Sequence, residues 1–79
     1  MTATEFISQA KTMVSRHGNS RMTVNTEIYN KNGRDIAEVI VSQQMPWGRD
    51  VIFNASNNGD HIDDLLIGDL KRYLELRNN

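Results

Sequence analysis

The alternation of apolar and polar positions predicts a β-hairpin in the middle of the chain. Residues 22–29 alternate with a period of two, which is typical of a half-buried strand. A turn is predicted over residues 30–33, because Asn32-Gly33 is a strong hairpin signal and both residues tolerate a positive φ. The returning strand is predicted over residues 34–43.

The returning strand carries apolar side chains on both faces over residues 36–41, which is typical of a central strand. Its pairing has two alternatives. A two-residue turn pairs Ile28 with Ala37, whereas a three-residue loop with a glycine bulge pairs Ile28 with Ile36. A shift of one residue in the pairing moves each side chain of the strand to the opposite face. Because both faces are apolar, the pattern leaves both registers open.

An amphipathic helix is predicted over residues 2–17. Thr2 and Glu5 fit a capping box, and Gly18 is expected to end the helix in the left-handed conformation. The apolar stripe at helical spacing comprises Phe6, Ala10, Met13, Val14 and His17, with Ile7 beside it.

A second helix is predicted from residue 61 to about residue 76, with Asp60 as its N-cap. The apolar stripe comprises Ile62, Leu65, Leu66, Leu70, Tyr73 and Leu74, with Ile67 on its flank. Gly68 inside this helix costs about 1 kcal/mol relative to alanine, which suggests close packing against another element.

Between the hairpin and the second helix, Pro46 and Gly48 predict a loop over residues 44–50. Residues 51–55 predict a third strand, which the short connection would pair antiparallel with the second. The expected fold class is α+β with the order α-β-β-β-α, a three-stranded antiparallel meander sheet with both terminal helices packed on it. Helices on one face leave the other partly open, and that face would carry Ile36, Ile40 and Ile52, or Val39 and Val41.

Length and composition narrow the functional class. The chain has 79 residues, is expected to form a single domain, and carries a formal net charge of −1, which argues against a general polyanion binder. The absence of cysteine excludes disulfides and thiolate zinc sites. No apolar run approaches the ~20 residues of a membrane span, and the start lacks the pattern of a signal peptide. A cytoplasmic protein without a cofactor is therefore expected.

The titratable residues have structural explanations. His61 lies among Asp60, Asp63 and Asp64, where a metal or acid–base site is conceivable, but aspartates that open a helix are explained by capping and by the helix dipole. His17 is explained by its place in the first helix. Glu27 and Glu38 oppose each other only in the two-residue-turn register, where they would signal a cation site or an acidic contact face. No catalytic or metal-binding residue is predicted.

The segment with Met45, Trp47 and Arg49 is the candidate protein-binding site. It contains the chain's only tryptophan and only proline, and tryptophan and arginine are enriched at interface hot spots. The alternative is that Trp47 folds back and closes the end of a small core.

The element order is similar to that of the double-stranded-RNA-binding domain, over nearly the whole chain. That resemblance implies a lysine-rich motif at the start of the last helix, for contacts with phosphates. Residues 59–64 here read GDHIDD, so RNA binding is not carried over from the resemblance. Nucleic-acid binding stays an alternative, because these basic residues would form a footprint if they cluster: Lys11, Arg16, Arg21, Lys31, Arg34 and Arg49.

The leading functional hypothesis is a small non-enzymatic protein-binding module. Inhibitors encoded by phages or mobile elements, which act by occluding a partner protein, are examples of this kind. A homodimeric accessory protein, paired through the third strand or the open face, is a further alternative because exposed strand edges favour pairing.

Overall fold

The computed structural model describes residues 1–57 and 62–77, with the side chains of residues 62–64 excepted. The elements are α1 (Ala3–His17), β1 (Met22–Lys31), β2 (Arg34–Met45), β3 (Gly48–Asn57) and α2 (Ile62–Arg77). This order confirms the predicted α-β-β-β-α class. Within the described residues, neither helix is long and apolar enough to cross a membrane.

The three strands form one antiparallel sheet in the order β1-β2-β3, with β2 in the centre as predicted. The hairpin has the two-residue turn, in which Asn32 and Gly33 adopt φ values of 54° and 80°, and Ile28 pairs with Ala37. All three strands are longer than the alternating pattern indicated. Backbone hydrogen bonds continue the ladders through polar residues, which the hydrophobic pattern does not detect.

We expect Gly33→Ala to destabilise the protein by about 1 kcal/mol, because alanine is strained at a positive φ. No atom lies within 4 Å of where the added Cβ would stand, so strain rather than a clash would cause the loss. Thermal unfolding should show a midpoint lowered by roughly 4–8 °C. Asn32→Gly is the matched control, since glycine tolerates the same conformation. Equal midpoints for Gly33→Ala and the unaltered protein would contradict the assigned turn.

Both helices pack on one face of the sheet. β2 turns Ala37, Val39 and Val41 toward the helices, and all three are fully buried. The helices contribute the rest of the buried cluster, together with one alanine of β3: Ala3, Phe6, Ala10, Val14, Ala55, Ile67, Leu70 and Leu74. We call this the covered face and the other the open face. Ile36 and Ile40 lie on the open face, because side chains alternate along β2.

A β-bulge at Ile52 changes the direction of the side chains that precede it in β3. Phe53 pairs with Val41, but Val51 pairs with Ser42, so Ile52 has no pairing partner in β2. Ile52 packs against the core, contrary to the open-face alternative in the sequence analysis. A bulge moves the residues beyond it to the other face. Val51 and Arg49 therefore lie on the open face.

The inward stripe of α2 is rotated relative to the prediction. Leu65 is 68% exposed and Tyr73 is 37% exposed, whereas Ile67, which was expected on the flank, is buried. Ile67, Leu70 and Leu74 have the helical spacing of three and four residues, so they form a stripe as regular as the predicted one. Apolar residues surround more than half of this helix, and its sequence period does not select the inward side.

Two glycines differ from their predictions. Gly18 caps α1 with extended dihedral angles (φ −87°, ψ −164°), so the left-handed prediction is wrong. An added Cβ there would clash with the Val14 carbonyl oxygen, and this close approach explains the glycine. Gly68 has no atom within 4 Å of its Cβ position, so the expected close packing is absent within the described chain.

One of the two hydrogen bonds of the predicted capping box is present at the start of α1. The Glu5 backbone N–H donates to Thr2 Oγ1 at 3.1 Å. The Thr2 hydroxyl in turn donates to the Glu5 carboxylate at 3.2 Å, where the full motif would use the Thr2 backbone N–H. The predicted N-cap of α2, Asp60, lies outside the described residues.

Candidate protein-binding site

A tight turn joins β2 to β3 at one end of the sheet. Met45 pairs with Gly48, so only Pro46 and Trp47 form the connection, and the loop predicted over residues 44–50 is wrong. The Gln44 side chain braces the turn, because its Nε2 donates to the carbonyl oxygens of Met45 at 3.2 Å and Gly48 at 3.4 Å. We call residues 45–50 the β2–β3 tip.

Trp47 is the most exposed large hydrophobic residue of the described chain, with 72% of its surface accessible. The alternative in which Trp47 closes the core is therefore wrong. Its indole Nε1–H donates to both carboxylate oxygens of Asp50, at 3.1 and 3.0 Å. The charged acceptor strengthens this hydrogen bond and favours the observed orientation of the ring. The tip thus presents an aromatic surface that is already positioned before any contact.

Arg49 shares the tip with Trp47 but is directed along the open face. Its Nη1 donates to Thr23 Oγ1, a hydroxyl on β1 that lies across the central strand. The bulge at Ile52 makes this contact possible, since regular alternation from Phe53 would place residue 49 on the covered face. Met45, the third residue of the candidate site, is half-buried at the start of the turn.

The charges around the tip are mixed. Arg21 lies at the same end of the sheet, where its carbonyl oxygen accepts a hydrogen bond from the Gln44 N–H at 2.9 Å. Arg21 and Arg49 are both exposed, and the Asp50 carboxylate binds the indole. A guanidinium, an aromatic ring and a partly satisfied carboxylate therefore lie within one turn and its flanking strands.

An acidic pair lies farther along the open face. Glu27 pairs directly with Glu38, because the hairpin has the two-residue turn. A shallow groove beside the pair is lined by Asn25, Thr26, Glu27, Glu38 and Ile40. Two carboxylates do not complete a metal site, and the described residues contain no group of three His, Cys, Asp or Glu side chains that could hold a metal ion.

Of the two histidines, His17 belongs to the part of the chain that the structure describes. His17 Nδ1 lies 3.6 Å from Glu75 Oε1, a partly exposed contact that links the end of α1 to α2. His61 and Asp60 lie outside the described residues, and the side chains of Asp63 and Asp64 are likewise not described. The acid–base alternative around His61 therefore stays a prediction.

The structure does not gather the predicted basic residues into one cluster. Lys31 pairs with Arg34 at one end of the first hairpin, and Arg49 lies at the other end, about 30 Å away for strands of this length. Lys11 and Arg16 belong to α1, in the helical layer on the opposite side of the sheet from the open face. Nucleic-acid binding itself stays a prediction.

Sequence reasoning did not identify two contributors to the tip. Asp50 orients the indole, and the spacing Trp-x-x-Asp around a turn is the signal that would have suggested this contact. The Thr23 hydroxyl accepts a hydrogen bond from the Arg49 guanidinium. These residues are 26 positions apart in the sequence, and only the bulged register brings them together.

The tip offers the residue types that dominate protein–protein hot spots, an aromatic ring and a guanidinium, on a braced turn. Comparison of this chain with protein-family models, with curated proteins and with solved structures finds no match. The proposed function therefore rests on the geometry of the chain itself.

Proposed function

We propose that this protein is a non-enzymatic protein-binding module that uses the β2–β3 tip as its anchor. The observation that carries the proposal is Trp47, a ring 72% exposed whose indole N–H is bonded to Asp50. An exposed aromatic of this size gains much from burial against a partner, and its restricted geometry lowers the entropy lost on binding.

The partner that fits this tip has an apolar pocket for the indole and an acidic or carbonyl-rich rim for Arg49. Within the described residues the guanidinium donates to one threonine hydroxyl, which leaves its other N–H groups available for acceptors on a partner. Inhibition by occlusion of a partner's surface, as phage-encoded inhibitors do, is the role we propose for such a module, and its expected location is the cytoplasm.

Trp47→Ala tests the anchor. We expect the unaltered protein to retain a specific protein from a lysate of its native host, and the alanine variant to bind that protein about 30- to 1,000-fold more weakly. Titration calorimetry with the purified partner would measure the loss. The free energy of unfolding should change by less than about 0.5 kcal/mol, because exposed side chains contribute little to stability.

Tyr29→Ala is the matched control for this experiment. Tyr29 is an aromatic residue of β1, 40% exposed, at the opposite end of the open face, so its removal should leave partner affinity within about twofold.

Asp50→Ala should weaken binding by an intermediate factor, because it releases the indole without removing it. Equal losses for Tyr29→Ala and Trp47→Ala would contradict the tip as the anchor. Capture of nucleic acid, with affinity that falls steeply with salt, would contradict a protein partner.

A further inference from the structure

The outer side of α2 carries a stripe of exposed residues that the fold leaves uncovered. Leu65, Asp69, Arg72 and Leu76 are separated by four, three and four positions, which is the spacing of a coiled-coil seam. Leu65 is 68% exposed and Leu76 is 71% exposed. The buried residues of the helix lie on its other side, so this outer seam points away from the core.

The outer seam is complementary to itself in one orientation. When two copies of the helix are placed antiparallel about a two-fold axis midway along the seam, Leu65 of one copy faces Leu76 of the other. The same axis places Asp69 of each copy opposite Arg72 of the other, so the dimer contains two such pairs. A parallel alignment would instead oppose Asp69 to Asp69 and Arg72 to Arg72, which like-charge repulsion disfavours.

Two further observations are consistent with a partner on this side of α2. Within the described chain, neither Asp69 nor Arg72 forms an ion pair, although three-residue spacing on a helix would permit one between them. Gly68 borders the seam, and no atom lies within 4 Å of its Cβ position. A glycine there weakens the isolated helix, and it lets a neighbouring helix approach closely.

We infer that the protein self-associates through the outer seam of α2 as an antiparallel two-fold dimer. The closed symmetry is that of most homodimers, with the same surface used by both copies. The seam spans about 16 Å of helix, so the contact is smaller than a standard interface and the dimer is weak. This inference does not depend on the proposed function, because the seam and the β2–β3 tip share no residue.

Charge reversal tests the ion pairs. Sedimentation velocity at low ionic strength, between about 10 μM and 1 mM protein, should show a concentration-dependent dimer. Each single variant, Asp69→Arg or Arg72→Asp, should raise the dimer dissociation constant at least about tenfold, because it creates two like-charge contacts. The double variant again places opposite charges across the seam, with the two signs exchanged. Its dimer dissociation constant should lie within about threefold of that of the unaltered protein.

Circular dichroism of all variants would verify that the fold is retained, which exposed positions should allow. A monomer at every concentration would overturn the inference. A dimer that the single reversals leave unchanged would also overturn it, because association would then use the edge of β3 or the open face.

Cross-linking tests the orientation independently. The chain contains no cysteine, so single cysteines can be introduced without background. A mixture of Leu65→Cys and Leu76→Cys proteins should form a mixed disulfide on mild oxidation, whereas Leu65→Cys alone should not, because its two sulfurs would be about 16 Å apart. Efficient cross-linking of Leu65→Cys with itself would indicate a parallel pair and overturn the antiparallel assignment.

Discussion

Val39→Lys is expected to unfold the protein, whereas Ile40→Lys at the next position should leave it folded. Val39 is fully buried on the covered face of the central strand, under the helical layer. A charge placed there loses its hydration and has no carboxylate partner in the buried cluster, a cost of more than about 4 kcal/mol. A single core of this size supplies only about 3–5 kcal/mol of net stability, so this loss is enough to unfold the protein.

Ile40 is the matched control because it is the next residue of the same strand and lies on the opposite face. Its side chain borders the groove that contains Glu27 and Glu38, so an ammonium group there gains favourable charge contacts. We expect a loss of about 1 kcal/mol or less from the smaller β-propensity of lysine. Circular dichroism without denaturant would show whether each variant is folded, and urea unfolding would measure the loss for Ile40→Lys. Comparable losses at the two positions would contradict the assignment of covered and open faces.

Leu70→Ala should cost about 2–5 kcal/mol, the second large effect that we expect. Leu70 is fully buried between α2 and the remainder of the core, so alanine would leave a cavity where dense packing existed. The chemically identical change Leu65→Ala removes a side chain that is 68% exposed and should alter the unfolding free energy by less than about 0.5 kcal/mol.

The pair tests the rotation of α2 about its own axis. Measurements at micromolar concentration would keep the weak dimer dissociated, so the stability of the monomer alone is compared. The rotation predicted from the sequence places both leucines in the core, and it would give similar losses for both. Leu65→Ala should additionally weaken self-association at millimolar concentration, which connects this experiment to the outer seam.

The two surfaces assigned to this protein have different physical characters. The β2–β3 tip is a compact anchor whose ring is held by a hydrogen bond to Asp50, which suits recognition of a distinct partner. The outer seam of α2 is a narrow, self-complementary stripe on the helical layer. Reversal of charge in the seam should not alter partner capture by Trp47, and removal of Trp47 should not alter the dimer. The two proposals can therefore fail separately.

Local sequence patterns were sufficient for the order of the elements and for the position of the first turn, but they left its register open. The period of two in β1, the Asn32-Gly33 dipeptide and the cap at Thr2 each act within a few residues, so their physical effect is contained in the local sequence. The double-sided apolar character of β2 was likewise enough to place it at the centre of the sheet.

Contacts between distant elements selected among the options that these patterns left open. Both faces of β2 are apolar, and only the observed register determines that Val39 is covered and Ile40 is open. Apolar residues surround much of α2, and its packing on α1 and the sheet places Ile67 in the core and Leu65 in solvent. The bulge at Ile52 moves Arg49 to the open face, where it reaches Thr23. The repeat of apolar residues along a helix or strand specifies the type of element. Which side of that element is buried depends on the free energy of contacts between residues far apart in the chain.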